Sequence, residues 1–196
     1  MRHILLSLLL LALPLSLCAQ SKDYKQAIAK YQNAQTVTAT ATRRRHKSAV
    51  AQDETAQGQF TIKQSQRKVN ISVNGGKDQL DMQGDAFTMT VGGKAHKTSS
   101  KTNPQFATFQ AVLENIMTGG QTADISQRTD VSLEKAGTDI ILTITPEATT
   151  KKAKRRMMFT SFVITLDSKT SEIKSLRMNE KGQNYTQYDF TNYRFQ

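Results

Sequence analysis

Apolar and polar residues alternate with a period of two along most of this chain, and in two places that rhythm gives way to helical spacing. TVTATATRRR (36–45) sets threonines at 36, 38, 40 and 42 against Val37, Ala39 and Ala41, a strand pattern with unusually small apolar residues. GQFTIK (58–63), KVNISV (68–73), QLDMQ (79–83) and AFTMTV (86–91) continue it as a meander. Phe60 and Ile62, Val69, Ile71 and Val73, Leu80 and Met82, and Phe87, Met89 and Val91 fall on one face of these strands, with polar residues on the other. Asn74-Gly75-Gly76, Gly84-Asp85 and Gly92-Gly93 supply the positive backbone angles of tight hairpins, so neighbouring strands are antiparallel. Further strands are predicted at 129–136, 138–146, 157–167, 172–180 and 184–195, with turns at Gly137, 167–169 and Gly182.

The first helical stretch runs from Lys22 to Ala34, where Tyr24, Ala27, Ile28 and Tyr31 share one side. The second is marked at both ends, with Asn103 as cap, Pro104 as first helical residue and Gly119 beyond the last turn. Its stripe of Phe106, Phe109, Val112, Leu113, Ile116 and Met117 interrupts the strands and suits a lid. About ten strands and two helices predict a mainly β (α+β) fold. A wide sheet with one apolar face must curl to cover it, so the expected form is a strongly curved antiparallel sheet, or unclosed β-barrel, with the helices on its concave face.

Ahead of these elements stands MRHILLSLLLLALPLSLCA (1–19), with Arg2 and His3, an apolar run and a small residue at Ala19. This is the layout of a secretory signal peptide, too short to span a membrane. Cleavage after Ala19 leaves one domain, 20–196, and removes Cys18, the sole cysteine, so disulfide and thiolate chemistry drop out. The rival reading makes Cys18 the lipidated first residue of a membrane-anchored protein, although Leu17 before it is larger than such processing favours.

The formal net charge of +11 is concentrated in RRRHK (43–47) and KKAKRR (151–156). For an exported protein these runs read as solvated loops, or as contacts with an anionic membrane or an acidic partner, rather than as a nucleic-acid site. No catalytic, cofactor or metal site is predicted. His46 and His96 lack metal-ligand spacing, the nucleophile motifs are missing, and Asp81, Asp85, Glu172 and Glu180 read as solvated carboxylates. Met82, Met89, Met117, Met157, Met158 and Met178 suit either an adaptable cavity or gap-filling in a core.

The closing stretch DSKTSEIKSLRMNEKGQNYTQYDFTNYRF (167–195) resembles the last strands of the LolA family of periplasmic lipoprotein carriers, where an acidic strand end and a glycine turn lead into an N-x-T-x-Y-x-F strand. Upstream, GQFTIK is similar to the family's glycine-led strand, KVNISV to its successor and DMQGDAFTM (81–89) to its D-G turn strand. The likeness spans 20–196 and is strongest to the Bacteroidota forms. It departs at Gln64 and Ser65, where the family has a basic residue and proline, so the family's cavity arginine has no direct match and Arg67 is the nearest substitute. The family's early aromatic is also replaced, here by Ala39 and Ala41.

The resemblance implies a periplasmic, monomeric carrier that moves acylated lipoproteins from an inner-membrane donor complex to an outer-membrane acceptor. At about 0.8 kcal/mol per buried methylene, a long acyl chain in water costs on the order of 10 kcal/mol, so cargo of this kind needs a shield. Phe60, Ile62, Val69, Ile71, Val73, Leu80, Met82, Phe87 and Met89 would line the acyl-chain cavity, or equally an ordinary filled core. Phe106, Phe109, Leu113 and Ile116 would form the lid, and Arg43, Arg44, Arg45 and Arg67 the polar or partner contacts. The alternative is a non-transporting lipid-binding or envelope-stress sensor module, anchored if Cys18 is lipidated.

Overall fold

The computed structural model describes residues 21–122, 124–148 and 150–196; residues 1–19, where the sequence predicts a signal peptide, and with them Cys18, lie outside the described residues. All strands join one antiparallel sheet. They are β1 (Thr36–His46), β2 (Glu54–Lys63), β3 (Lys68–Val73), β4 (Asp78–Gln83), β5 (Ala86–Val91), β6 (Lys94–Ser99), β7 (Val131–Ala136), β8 (Asp139–Ile144), β9 (Phe159–Asp167), β10 (Ile173–Glu180) and β11 (Tyr185–Phe195). Their spatial order is β6-β5-β4-β3-β2-β1-β11-β10-β9-β8-β7, so the first and last strands pair at the centre and β6 and β7 are the edges. The sheet curls without closing. Met89 of β5 and Met178 of β10 line one cleft although five strands stand between theirs.

Local features impose that curvature. Gly58 lies opposite Val73 where a Cβ would come within 1.9 Å of the Ser72 carbonyl oxygen, an approach of β2 to β3 that no other residue permits. A bulge lets β11 slip against β1 between Thr38 and Thr40, with Asn192 at φ 58°. Further slips break the β9–β10 ladder at both ends. Bulges add twist and bend the strand that carries them.

Among the described residues three helices accompany the sheet: α1 (21–28), continued by a 3-10 turn (Ala29–Asn33), α2 (Ala107–Met117), preceded by a 3-10 turn (Pro104–Phe106), and α3 (Lys151–Arg156). Tyr24, Ala27, Ile28 and Tyr31 are buried, as is the whole predicted stripe of α2. One apolar core therefore lies between the concave face and these two helices.

The structure corrects the sequence reading in four places. The described residues form eleven strands, one more than predicted, because β6 (KAHKTS) is an edge strand without an apolar face and carries no alternation to detect. RRRHK is not a loop: β1 runs through to His46, and Arg43 occupies a buried register position. KKAKRR forms α3. Asn103 has extended backbone and makes no side-chain cap, and Pro104 opens a 3-10 turn before α2 begins at Ala107.

Candidate functional site

The strand residues predicted to face inward are buried or half-buried except Val91, which is exposed where β5 ends at the rim of the sheet. Phe60, Ile62, Val69, Ile71, Val73, Leu80, Met82 and Phe87 are all buried on the concave face, and Met89 is half-buried beside them. The second half of the chain supplies the opposite wall through Phe159, Phe162, Ile164, Leu166, Leu176, Met178 and Phe190, whose alternation was visible in the sequence but was not assigned to the site. The interior is tightly filled. Phe60, Val69, Ile71, Leu80, Leu113, Ile164 and Phe190 enclose a void of only about 10 Å³.

The side chain of α2 that fills the centre is Phe109, fully buried and stacked on Phe162 at 4.4 Å, with Phe87 edge-on at 6.5 Å. Phe106 stacks on Phe87 at 4.1 Å and packs against Phe159 and Phe162. Leu113 and Ile116 complete the face that α2 turns to the sheet. Phe106, Phe109, Leu113 and Ile116 thus occupy the volume enclosed by the curved sheet, as a plug.

Polar contacts hold the plug at its margins. Gln105 Oε1 accepts from the backbone N–H groups of Met158 (3.1 Å) and Phe159 (3.3 Å), which fixes the entry to α2. Thr108 donates to Asp130, whose carboxylate Arg128 also grips at 2.8 Å through two nitrogens. At the other end Gln64 Nε2 donates to the Met117 carbonyl (3.1 Å) and lies near those of Gln32 (3.4 Å) and Tyr31 (3.5 Å). Gln110 donates to the Gly84 carbonyl, and Arg67 pairs with Glu114. Tyr24 donates to Asn115 Oδ1 at 2.8 Å, joining α1 to α2; burial pushes the Tyr24 hydroxyl pKa far up, so it stays a donor. Gln64 and Arg67, both in the β2–β3 turn, thus contact α2. Sequence patterning could not assign Gln64, a neutral residue in a turn.

At one end of the curl the interior opens into a half-open cleft of about 430 Å³. Met89, Met158, Phe159, Met178 and Tyr188 provide most of its wall, and Arg43, Arg45, Asp78 and His96 its polar part. Phe159 packs on Phe106, so the cleft reaches the plug. Arg43 Nη1 pairs with Asp78 Oδ2 at 2.8 Å, with both side chains less than a tenth exposed. Asp78 also accepts from the Gly92 N–H (2.8 Å) and Asn74 Nδ2 (2.9 Å). Burial opposes its charge, but these donors and the Arg43 cation overcome it and hold the carboxyl below the usual range. Burial likewise pushes the Tyr188 hydroxyl up to about 12, keeping it neutral beside the pair. Arg43 Nε is buried without a hydrogen-bond partner among the described residues.

Of the four predicted arginines, then, the structure brings Arg43 and Arg45 to the cleft. Arg44 is exposed, 3.6 Å from Asp189, and Arg67, in the β2–β3 turn, pairs with Glu114 of α2. His46 pairs with Asp53 at 2.7 Å, and His96 is exposed on β6. Among the described residues no helix is long and apolar enough to cross a membrane.

No protein-family model and no curated protein matches the chain. Solved structures do. The chain is similar to a domain provisionally named for outer membrane lipoprotein sorting from Vibrio parahaemolyticus (10% identity, 90% of this chain and 92% of that one, TM-score 0.43). It is also similar to the lipoprotein LppX of Mycobacterium tuberculosis (10%, 89% and 94%, 0.39) and to a LolA superfamily protein of Nitrosomonas europaea (8%, 87% and 93%, 0.37).

Proposed function

We propose that this protein is a lipid-binding carrier that takes the acyl chains of lipoproteins into the space now filled by α2, rather than an enzyme. The observation that carries the reading is the contrast between the two parts of the interior. A mainly apolar cleft of about 430 Å³, within the roughly 300 to 1,000 Å³ typical of ligand sites, abuts a helix that plugs the rest of the curl. The plug carries an apolar stripe and is held by side-chain contacts at its ends. Withdrawing it would exchange Phe106, Phe109, Leu113 and Ile116 for acyl chain against Phe60, Ile62, Val69, Ile71, Val73, Leu80, Met82, Phe87 and Met89, apolar surface for apolar surface. Such an exchange costs little in burial, so uptake and release can both proceed.

In this reading the exported chain works in the periplasm, receives its cargo from an inner-membrane complex and delivers it to an outer-membrane acceptor. The test is to isolate the exported protein under mild conditions and identify bound lipids and lipoproteins by mass spectrometry, then compare hydrogen exchange in Ala107–Met117 with and without cargo. Bound acylated cargo and faster exchange in that helix are expected. Protein that is empty as isolated and takes up no acylated ligand overturns the reading.

A further inference from the structure

The two basic runs, far apart in the chain, meet at one end of the folded molecule. Strand alternation puts the β1–β2, β5–β6 and β10–β11 turns and the α3-containing connection from β8 to β9 at that end. The contacts bear this out. Ser48 donates to Asn184 Oδ1 through its N–H (2.8 Å) and its hydroxyl (3.1 Å), and Lys181 Nζ donates to the carbonyls of Lys154 (3.3 Å) and Arg155 (2.8 Å). Arg45 and Met158 line the same cleft. Lys47, Lys151, Lys154, Arg155 and Lys181 therefore stand exposed around the cleft mouth.

A second observation falls at the same place. The large hydrophobic side chains exposed among the described residues are Val50, Val91 and Met158, at 53%, 36% and 51%. Val50 is in the β1–β2 turn, Val91 ends β5 and Met158 follows α3, so all three are at this end. Nearby carboxylates are largely engaged: Asp78 with Arg43, Asp53 with His46, and Glu54 3.9 Å from both Arg45 and Lys47. Glu147 and Glu180 are too few to neutralise α3 and Lys181.

We propose that this end docks onto an anionic lipid bilayer, with Val50, Val91 and Met158 entering the headgroup layer and Lys47, Lys151, Lys154, Arg155 and Lys181 lying over lipid phosphates. Isolated apolar tips among cations are the anatomy of an interfacial anchor. A protein partner would instead be met by a contiguous apolar centre with a polar rim. The cleft opens at the docked end, so an acyl chain leaving the bilayer meets Met158 and Phe159 first; that consequence rests on the carrier reading, whereas the docking does not.

The test is co-sedimentation of the exported protein with vesicles of phosphatidylcholine, alone or mixed with phosphatidylglycerol, at low and high salt. Binding to the mixed vesicles is expected to exceed that to neutral ones by about tenfold or more and to weaken with salt. Lys154→Glu with Arg155→Glu should lower it by a similar factor, and Val50→Ser, outside the cleft wall, should lower it measurably, with thermal unfolding and lipid content as isolated left unchanged. Loss of vesicle binding with cargo retained separates this surface from the carrier reading. Equal binding to both vesicle types, no binding to either, or salt-sensitive binding to polyglutamate alone, which would mark an acidic protein partner, each overturns the proposal.

Discussion

Phe60 of β2 and Phe190 of β11 meet with ring centroids 4.5 Å apart although β1 runs between their strands. They can do so because the register sets Ala39 opposite Phe60 and Ala41 opposite Phe190. The small side chains of β1 leave the volume above the strand to the flanking rings. Ala41→Leu is accordingly expected to overpack the centre of the sheet and lower stability by about 1 to 3 kcal/mol, measured by denaturant unfolding. An unchanged midpoint would show that the rings do not need this space.

The attachment at Gln64 gives a test of the lid that leaves the apolar lining intact. Its amide binds the Met117 carbonyl, and this is one of the ties between the β2–β3 turn and the end of α2. Gln64→Ala should cost about 1 kcal/mol of stability and raise the uptake of an apolar fluorescent probe. Uptake equal to that of the parent would show that α2 is not released from this end.

Sequence patterning revealed the sheet where one face is buried and the other wet, as in KVNISV, because that asymmetry is what alternation records. It did not reveal β6, whose residues are mostly exposed on both faces, nor the fate of Arg43. The arginine follows TVTATAT in the same period of two, yet its charge argued for solvent. Only the tertiary placement of Asp78, from the β3–β4 turn onward, explains how a cation can occupy that inward position. The lid stripe was legible because Pro104 and Gly119 bound it, while its polar ties through Gln105, Thr108 and Gln64 depend on contacts between distant segments.

The buried pair should respond unequally to removal of its two members. Asp78→Ala strands Arg43 and also leaves the Gly92 N–H and the Asn74 amide without their acceptor, so a loss of about 3 to 5 kcal/mol is expected. Arg43→Met should cost less, because Asp78 keeps both of those donors and Met fits the sulfur-rich wall formed by Met89 and Met178. Equal losses in the two variants, measured by urea unfolding, would show that the turn donors contribute nothing.

Gly119 is constrained twice. Its φ is 61°, and an added Cβ would lie 2.6 Å from Gln32 Cβ, where the end of α2 meets the turn after α1. Gly119→Ala should therefore lower stability by more than about 1 kcal/mol, read as a fall in the thermal midpoint. Gly137, at φ 65° with open space around it, is the control: its alanine variant bears the backbone strain alone and should be milder.

Acid should loosen the seat of α1 through Asp124. Its carboxyl accepts from the Ser126 hydroxyl (2.7 Å) and N–H (2.9 Å) and pairs with Lys25 of α1 at 2.9 Å. The Ser126 hydroxyl above all, then Lys25 and the Ser126 N–H, lower its pKa to about 2. A carboxyl whose pKa is lower in the folded than in the unfolded chain stabilises the fold at pH values above the unfolded value, near 4, and loses that contribution as pH falls toward 2. Asp124→Asn should flatten the stability profile between those two values while leaving a residual slope of the same sign from Asp78, Asp130 and Asp167, whose carboxyls are also held low. Denaturant midpoints at successive pH values provide the measurement. Parallel curves for parent and variant across this window would show that Asp124 does not tie α1 to the core.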